Sequence, residues 1–437
     1  MSGNPRQTTA AIINHGCKLN QFEGESLGTM LRERGVTLVD LDGNRPDIVI
    51  VNTCTVTARG DRKSRRSIMR AVKSVAPEGR VIVTGCYAET DRTVLEGMPG
   101  VDAVVGTGDK AAIPSMLLPR DGEIPDASPF SYVDPVIPFY PGEGTSPARS
   151  RAFLKVQDGC SMACSYCKVP LARGPSVSRN AGDVLESARR IVESGFREVV
   201  MTGINLGSYR SGELSLADLL EAIVRRCPSL RIRLSSIEPV FFTPRLLDAV
   251  GRLTPVVPHF HLPLQSGSDR ILSLMKRPYG REDFRALVAG LRRLRPDAHI
   301  AVDVIVGFPT EGEEDFQETR RLVEEIAPAS LHVFRYSRRQ GTAAETLGDP
   351  VPSDTKARRS RTLIEMSDRL NERYRMSFLG SVRPAILENR SSGPTCVTDN
   401  YIGVRVEGVP EPLSPRDLVK VRLDRLEGHE TRGVIVR

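Results

Sequence analysis

The chain of 437 residues contains no run of about 18 apolar residues, so no membrane-spanning helix is expected. Its first residues, Met-Ser-Gly-Asn-Pro-Arg-Gln, lead into no apolar segment of the secretory-leader type. Cysteine is scarce. Eight are present, too few and too unevenly spaced for a disulfide framework, and ligand thiolates require a reducing compartment. No internal repeat or low-complexity tract stands out. The expectation is a soluble, cytoplasmic protein with no membrane partner, long enough for roughly two or three domains. Acidic residues are outnumbered, and the net charge of +7 suggests a polyanionic partner.

The cysteines that are present are placed in an informative way. Cys160-Ser-Met-Ala-Cys164-Ser-Tyr-Cys167 puts three thiolates in one short loop, just past the strand-like Phe153–Gln157. Three thiolates leave one iron of a four-iron cluster free to bind a small molecule, whereas a closed four-thiolate site mainly passes electrons. A structural zinc site would want a fourth Cys or His, and none follows Cys167 at that spacing. The loop resembles that of the radical S-adenosylmethionine (SAM) enzymes, with Tyr166 at their aromatic position. Cys17, Cys54 and Cys86 form a second set, each ending an apolar, strand-like run that a helical pattern follows. In a parallel sheet all three converge on the crest at the strand C-termini. Singly, each would read as a small buried residue. Together they indicate a second iron–sulfur cluster, again with one iron open. Cys227 and Cys396 share no evident purpose.

The fold class expected is α/β in three parts. Residues 1–118 form a parallel α/β cluster domain. Residues 119–149, with seven prolines, read as a linker. Residues 150–378 alternate six strands (Phe153–Gln157, Glu198–Thr202, Arg231–Ser235, His259–Leu264, His299–Val306 and Leu331–Tyr336) with helices. Six units fall short of a closed eight-fold barrel, so a partial (β/α)6 barrel is expected, with its chemistry at the strand C-termini. Ser353–Phe378 reads as a long terminal helix. Residues 380–437 read as a small antiparallel β-barrel, a shape often used for nucleic acids.

With both triads in place, the chain resembles the methylthiotransferases nearly end to end. The phrases that carry this are Val156-Gln-Asp-Gly-Cys160, Thr202-Gly-Ile-Asn205, His261-Leu-Pro-Leu-Gln-Ser-Gly-Ser268 and Asp303-Val-Ile-Val-Gly-Phe-Pro309. Thr398-Asp-Asn-Tyr401 resembles a segment of the RNA-binding TRAM domain. Gly16-Cys-Lys-Leu-Asn-Gln-Phe-Glu23, Asn52-Thr-Cys-Thr-Val-Thr57 and Thr84-Gly-Cys-Tyr-Ala88 resemble most closely the branch acting on threonylcarbamoyladenosine beside the tRNA anticodon. Lys168, Pro175 and Thr310-Glu-Gly-Glu-Glu depart from the family's usual residues, which puts contacts around SAM and substrate in doubt but not the cysteines.

The resemblance implies two [4Fe-4S] clusters and SAM, used both as methyl donor and as source of a deoxyadenosyl radical that attacks C2 of the adenine. No side chain could take that hydrogen by acid–base chemistry, so the cofactor carries the hard step. Cys160, Cys164 and Cys167 would hold the SAM cluster. Cys17, Cys54 and Cys86 would hold the cluster bearing the transferred sulfur. Thr202, Gly203, Ser236, Glu238 and Gly307, with Tyr166, are the candidate SAM contacts. The partners implied are tRNA at its anticodon region, an electron donor such as flavodoxin or ferredoxin, and proteins of cluster assembly and sulfur donation.

Two basic stretches are candidates for RNA: Arg59, Arg62, Lys63, Arg65, Arg66, Arg70 and Lys73, and then Lys356, Arg358, Arg359 and Arg361. His259 and His261, on one strand face, are read as packing residues rather than metal ligands. Two other readings stay open. One keeps the chemistry but changes the target, to isopentenyl-adenosine tRNA or a ribosomal-protein aspartate. The other is a non-catalytic iron–sulfur RNA-binding redox sensor, against which the strand-end motifs argue because a sensor needs no SAM pocket.

Overall fold

Continuous apolar runs build the first sheet. In the computed structural model, which describes residues 7–118, 150–390 and 393–436, five parallel strands lie in the order Thr37–Leu38, Thr9–Asn14, Ile48–Thr53, Arg80–Gly85, Ala103–Val105. Ile48–Thr53 is buried along its whole length, as a central parallel strand covered on both faces must be. On one face, Ala10, Ile48, Ile50 and Ile82 pack against Leu27 and Leu31 of the helix Lys18–Arg32. On the other, Val49, Val51, Val81 and Val83 meet Ile68 and Ala71 of the helix Ala58–Ser74. That helix starts where the Thr57 hydroxyl accepts the Gly60 N–H, a side-chain cap, and ends at Val75 two residues before Pro77. The linker expected at 119–149 lies outside the described residues.

The second part is the open, six-stranded parallel barrel expected. Ala152–Lys155, Glu198–Thr202 and Arg231–Leu234 form one three-stranded sheet, and His259–Gln265, His299–Val306 and Ser330–Arg335 form another. A single bridge, Ser236 to His261, joins them. The strands alternate strictly. Leu154, Met201, Ile232, Leu262, Val302 and Leu331 join the helices in the main core. Glu198, Arg233, His261, Asp303 and His332 occupy the opposite positions and so face the barrel interior. The first domain closes part of that interior: Phe22, on the helix Lys18–Arg32, packs between Phe153 and Val200.

A long helix, Ser353–Met376, leads to a closed five-stranded barrel. It departs from the all-antiparallel barrel expected, because Gly403–Val406 pairs in parallel with Glu430–Val436 to complete the closure. The Thr398-Asp-Asn-Tyr401 turn serves the partial barrel rather than standing free. Arg233 donates to the carbonyls of Asp399 and Thr398 at 3.0 and 3.1 Å, and the Tyr401 ring lies 4.3 Å from that of His259. A truncation near 380 would leave Arg233 its ion pair with Glu198 but strip it of two carbonyl acceptors, and a hydrogen bond from a charged group is worth about 1.5–3 kcal/mol. Among the described residues, no helix is long and apolar enough to cross a membrane.

Candidate active site

The sheet register brings the first three cysteines to one crest. Asn14, Asn52 and Thr84 form one row across three neighbouring strands, and Cys17, Cys54 and Cys86 follow that row. Cys17 precedes the helix Lys18–Arg32, Cys54 leaves the strand Ile48–Thr53, and Cys86 opens the helix Cys86–Thr90. Gly85 makes the last turn possible: its φ is +96°, and a Cβ there would lie 2.4 Å from the Thr53 carbonyl. Burial pushes the Cys54 thiol up to about 11 and raises that of Cys86, and nearby cysteines add to both shifts. Thiols so raised are poor free nucleophiles. They suit ligands whose negative charge is balanced by iron.

The Cys160–Cys167 loop is pinned by its backbone. The Ser165 N–H donates to the Met275 carbonyl at 3.0 Å, and the Ser165 carbonyl accepts from Ala344 at 2.7 Å. Arg277 donates to Cys164 Sγ at 2.9 Å and forms an ion pair with Glu238. Burial raises the thiols of Cys164 and Cys167, the latter to about 12. Tyr166 packs beside Phe308 and Tyr336, its hydroxyl 3.5 Å from Arg277.

Arg173 ties the first triad to the segment that follows the second. It lies six residues after Cys167, at the end of the short helix Val169–Arg173, and its side chain is only 1% exposed. Nε donates to Cys86 Sγ at 3.3 Å, and Nη1 to Glu23 at 2.9 Å and to both Asp158 oxygens at 3.0 Å. Lys155 bridges Glu23 and Asp158 at 3.1 and 2.7 Å, and Lys110 pairs with Glu23 as well. Burial alone would raise the Glu23 carboxyl, but Arg173, Lys110 and Lys155 hold it well below the usual carboxylate range. Three cations against two carboxylates leave one positive charge in excess beside Cys86, matching one thiolate. Lys168, a departure from the family's residues, pairs across the same seam with Asp91 at 2.7 Å. The network spans the seam between the two parts: Glu23 and Lys110 come from the first, and Lys155, Asp158 and Arg173 from the second.

The candidate SAM contacts fare unequally. Thr202 Oγ1, at a strand end, is buried without a hydrogen-bond partner among the described residues, as are its neighbours Asn205 Oδ1 and Ser235 Oγ. Orphaned polar atoms beside the cysteine loop fit a polar ligand such as SAM. Ser236 is half-buried at the bridge to His261. Gly203 is needed for packing, since a Cβ would lie 2.8 Å from Gln157 Oε1. Glu238 is engaged by Arg277. Gly307 lies under Lys356, whose Cγ would be 2.4 Å from an added Cβ.

The basic stretches also differ. Arg59, Arg62, Lys63, Arg65, Arg66, Arg70 and Lys73 are all exposed along the helix that starts beside Cys54. Asp61 is buried and accepts from Arg339 at 2.7 Å, tying the helix to the end of the barrel's last strand. In the second stretch Lys356 and Arg359 are buried in ion pairs with Asp349 and Glu311, so only Arg358 and Arg361 are exposed. Arg173, Arg277, Glu23 and Lys110 escaped the sequence reading because their partners lie far away in the chain, with no short spacing to mark them. Asp158 lay inside the phrase before Cys160 and Glu23 at the end of the phrase around Cys17, and these were the available signals.

Residues 154–323 match the Radical SAM superfamily, and residues 9–106 match a family described as Uncharacterized protein family UPF0004. A similar solved structure is the radical S-adenosylmethionine methyltransferase TsrM from Kitasatospora setae. Its TM-score is 0.58 over 78% of this chain and 77% of that one, and at 17% identity it speaks for the fold alone. The threonylcarbamoyladenosine tRNA methylthiotransferase MtaB of Bacillus subtilis is 36% identical over 98% of this chain and 96% of its own length. The tRNA-2-methylthio-N(6)-dimethylallyladenosine synthase of Thermobifida fusca is 34% identical over 85% of this chain and 76% of its own. The partial barrel with its cysteine loop is thus that of a radical SAM enzyme, which implies a [4Fe-4S] cluster and SAM. Over nearly its whole length, the chain belongs to the radical SAM methylthiotransferases.

Proposed function

We propose that the protein adds a methylthio group to C2 of threonylcarbamoyladenosine beside the anticodon of tRNA, with Cys160, Cys164 and Cys167 holding the SAM cluster and Cys17, Cys54 and Cys86 a second one. The observation that carries the two-cluster reading is the Arg173 seam, a buried charge network that ties Cys86 to the segments flanking the Cys160–Cys167 loop. When bound, the clusters supply the electron that cleaves SAM and the sulfur that is transferred. The protein's own groups orient and hold: Arg277 steadies Cys164, Arg173 steadies Cys86, and Thr202, Asn205 and Ser235 offer their free polar atoms to SAM. Residues 1–118, 150–378 and 380–437 are the cluster, barrel and RNA-binding domains of this reading. Its setting is the cytoplasm, with flavodoxin or ferredoxin as reductant and cluster-assembly and sulfur-donor proteins as partners.

The substrate assignment rests on the name of the Bacillus subtilis relative and on a polar interior: Lys18 and Arg233 stand there with His261, Asp303 and His332. Burial, with Arg151 and Arg233 nearby, lowers the Lys18 ammonium to about 8. An isopentenyl group would want an apolar wall instead. Reconstituted protein, SAM and a sulfur donor should form the 2-methylthio nucleoside on tRNA carrying threonylcarbamoyladenosine, as read by mass spectrometry of digested tRNA. Product from isopentenyl-adenosine tRNA alone would move the chain to the other branch while leaving the chemistry in place.

The exposed basic helix is assigned to the tRNA backbone. Reversing Arg59, Arg62, Lys63 and Arg66 to Glu should weaken tRNA binding at low salt by at least ~10-fold and flatten the dependence of log Kd on log salt by about one unit for each phosphate left without its cation. Arg65 is left intact because it donates to the Tyr87 hydroxyl at 2.6 Å. An unchanged slope would return the helix face to solvent.

A further inference from the structure

Three side chains in the barrel interior do something that the cysteine chemistry does not use. Asp303 and His332 stand opposite one another in register, with His261 on the other neighbouring strand. Asp303 Oδ1 lies 2.7 Å from His261 Nε2 and 3.0 Å from His332 Nδ1, and the two imidazoles meet edge to face at 4.9 Å. His261, expected to be a packing residue, is therefore part of a polar cluster. His259 does pack, stacked 5.2 Å from His299.

An ionised carboxylate has no proton to give, so each ring nitrogen facing it carries the hydrogen. For neutral His332 this fixes the Nδ1–H tautomer and leaves Nε2 with a bare lone pair. Burial raises the Asp303 carboxyl, but the bonds from His261 and His332 outweigh it and bring it to about 2, so the arrangement persists at neutral pH. His332 is 50% exposed and sits on the barrel's edge strand, and Phe334, two residues on and on the same side, is 40% exposed. Their neighbours Leu331 and Val333 point the other way, into the core. The cluster shares its interior with the cysteine loop: His261 bridges to Ser236, two residues before Glu238, which pairs with Arg277 at Cys164.

We propose that His332, oriented by Asp303 and His261, is a specificity-determining contact for the polar N6 substituent of the substrate adenosine, with Phe334 as the apolar surface beside it. The proposal rests on the substrate reading above. A threonylcarbamoyl group offers N–H and O–H donors to Nε2, and a carboxylate to a protonated ring. An isopentenyl group offers neither, and a site built to hydrogen-bond a group discriminates strongly against analogues lacking it. Asp303 and His261 act through His332 and are positioning residues.

The test compares reconstituted wild type with His332→Ala, His332→Gln and Asp303→Asn on tRNA carrying threonylcarbamoyladenosine and on tRNA carrying isopentenyl-adenosine. His332→Ala should lower kcat/KM on the first by ~10–100-fold, shrink the ratio between the two substrates, and raise the deoxyadenosine released per methylthio product. Glutamine, which keeps a hydrogen-bonding group, should recover part of the ratio, with cluster iron at the wild-type level. An unchanged kcat/KM, or an equal loss on both substrates, overturns the proposal while the substrate reading stands. Wild type active only on isopentenyl-adenosine overturns both. One equivalent of non-cluster divalent metal in wild type, lost in Asp303→Asn, would make the three residues a metal site and overturn the proposal, since their ligand atoms lie within 4.8 Å of one another.

Discussion

Protein in which Cys160, Cys164 and Cys167 are all replaced by Ala should retain about four of roughly eight irons after anaerobic reconstitution and release no deoxyadenosine from SAM above background. The loop's place does not depend on its sulfurs. Ser165 is bonded to the backbone of Met275, Leu274 and Ala344, and the Cys160 N–H to the Gly174 carbonyl at 3.1 Å. The fold should therefore survive, and Arg277, relieved of Cys164, keeps Glu238 as its partner. The remaining irons belong to Cys17, Cys54 and Cys86, whose strands precede residue 118 and need nothing from the deleted thiols. Disappearance of all iron from the triple variant would sink the claim of two independent clusters. Survival of SAM cleavage would remove the barrel loop from the chemistry altogether.

What was legible in the sequence were the features that repeat at short range. The strand Glu198–Thr202 and the strand His299–Val306 begin and end where their alternating and apolar patterns begin and end. The helix Ala181–Glu193 follows the spacing of Val184, Ala188 and Ile191 and starts at Asn180, whose side chain accepts the Gly182 N–H at 2.8 Å. Both cysteine sets were legible for the same reason, since each thiol ends a strand or sits in one loop. Charges serving long-range partners were not. Lys356 and Arg359 look like a surface stretch, yet Arg359 pairs with Glu311 at 2.6 Å, a residue 48 positions earlier. Arg173 stands six residues after Cys167, but its partners Glu23, Asn20 and Cys86 lie in the first domain. Asp61 stands among the basic residues after Cys54 in the chain, yet it is buried and anchors the helix through Arg339. Pairing across domains leaves no period in the chain, so it emerges only with the fold.

Replacing Cys17, Cys54 and Cys86 with Ala should separate the two halves of the chemistry: deoxyadenosine release continues, while methylthio product falls below detection. Among the described residues, the barrel loop, Thr202, Asn205 and Ser235 draw no hydrogen bond from these three cysteines, so SAM should still bind and be cleaved. The sulfur has no other carrier in this reading. One cost is expected at the seam. Without Cys86, Arg173 keeps Glu23, Asp158 and Asn20 but has no sulfur to donate to. The Tm should therefore fall, and restoring Cys86 alone should recover part of it without restoring product, because one thiolate cannot hold a cluster with one open iron. That split, stability returning without turnover, would not arise if the crest cysteines only filled space. Methylthio product at the wild-type rate in the triple variant would remove the second cluster as sulfur carrier and leave the Arg173 seam as a purely structural device.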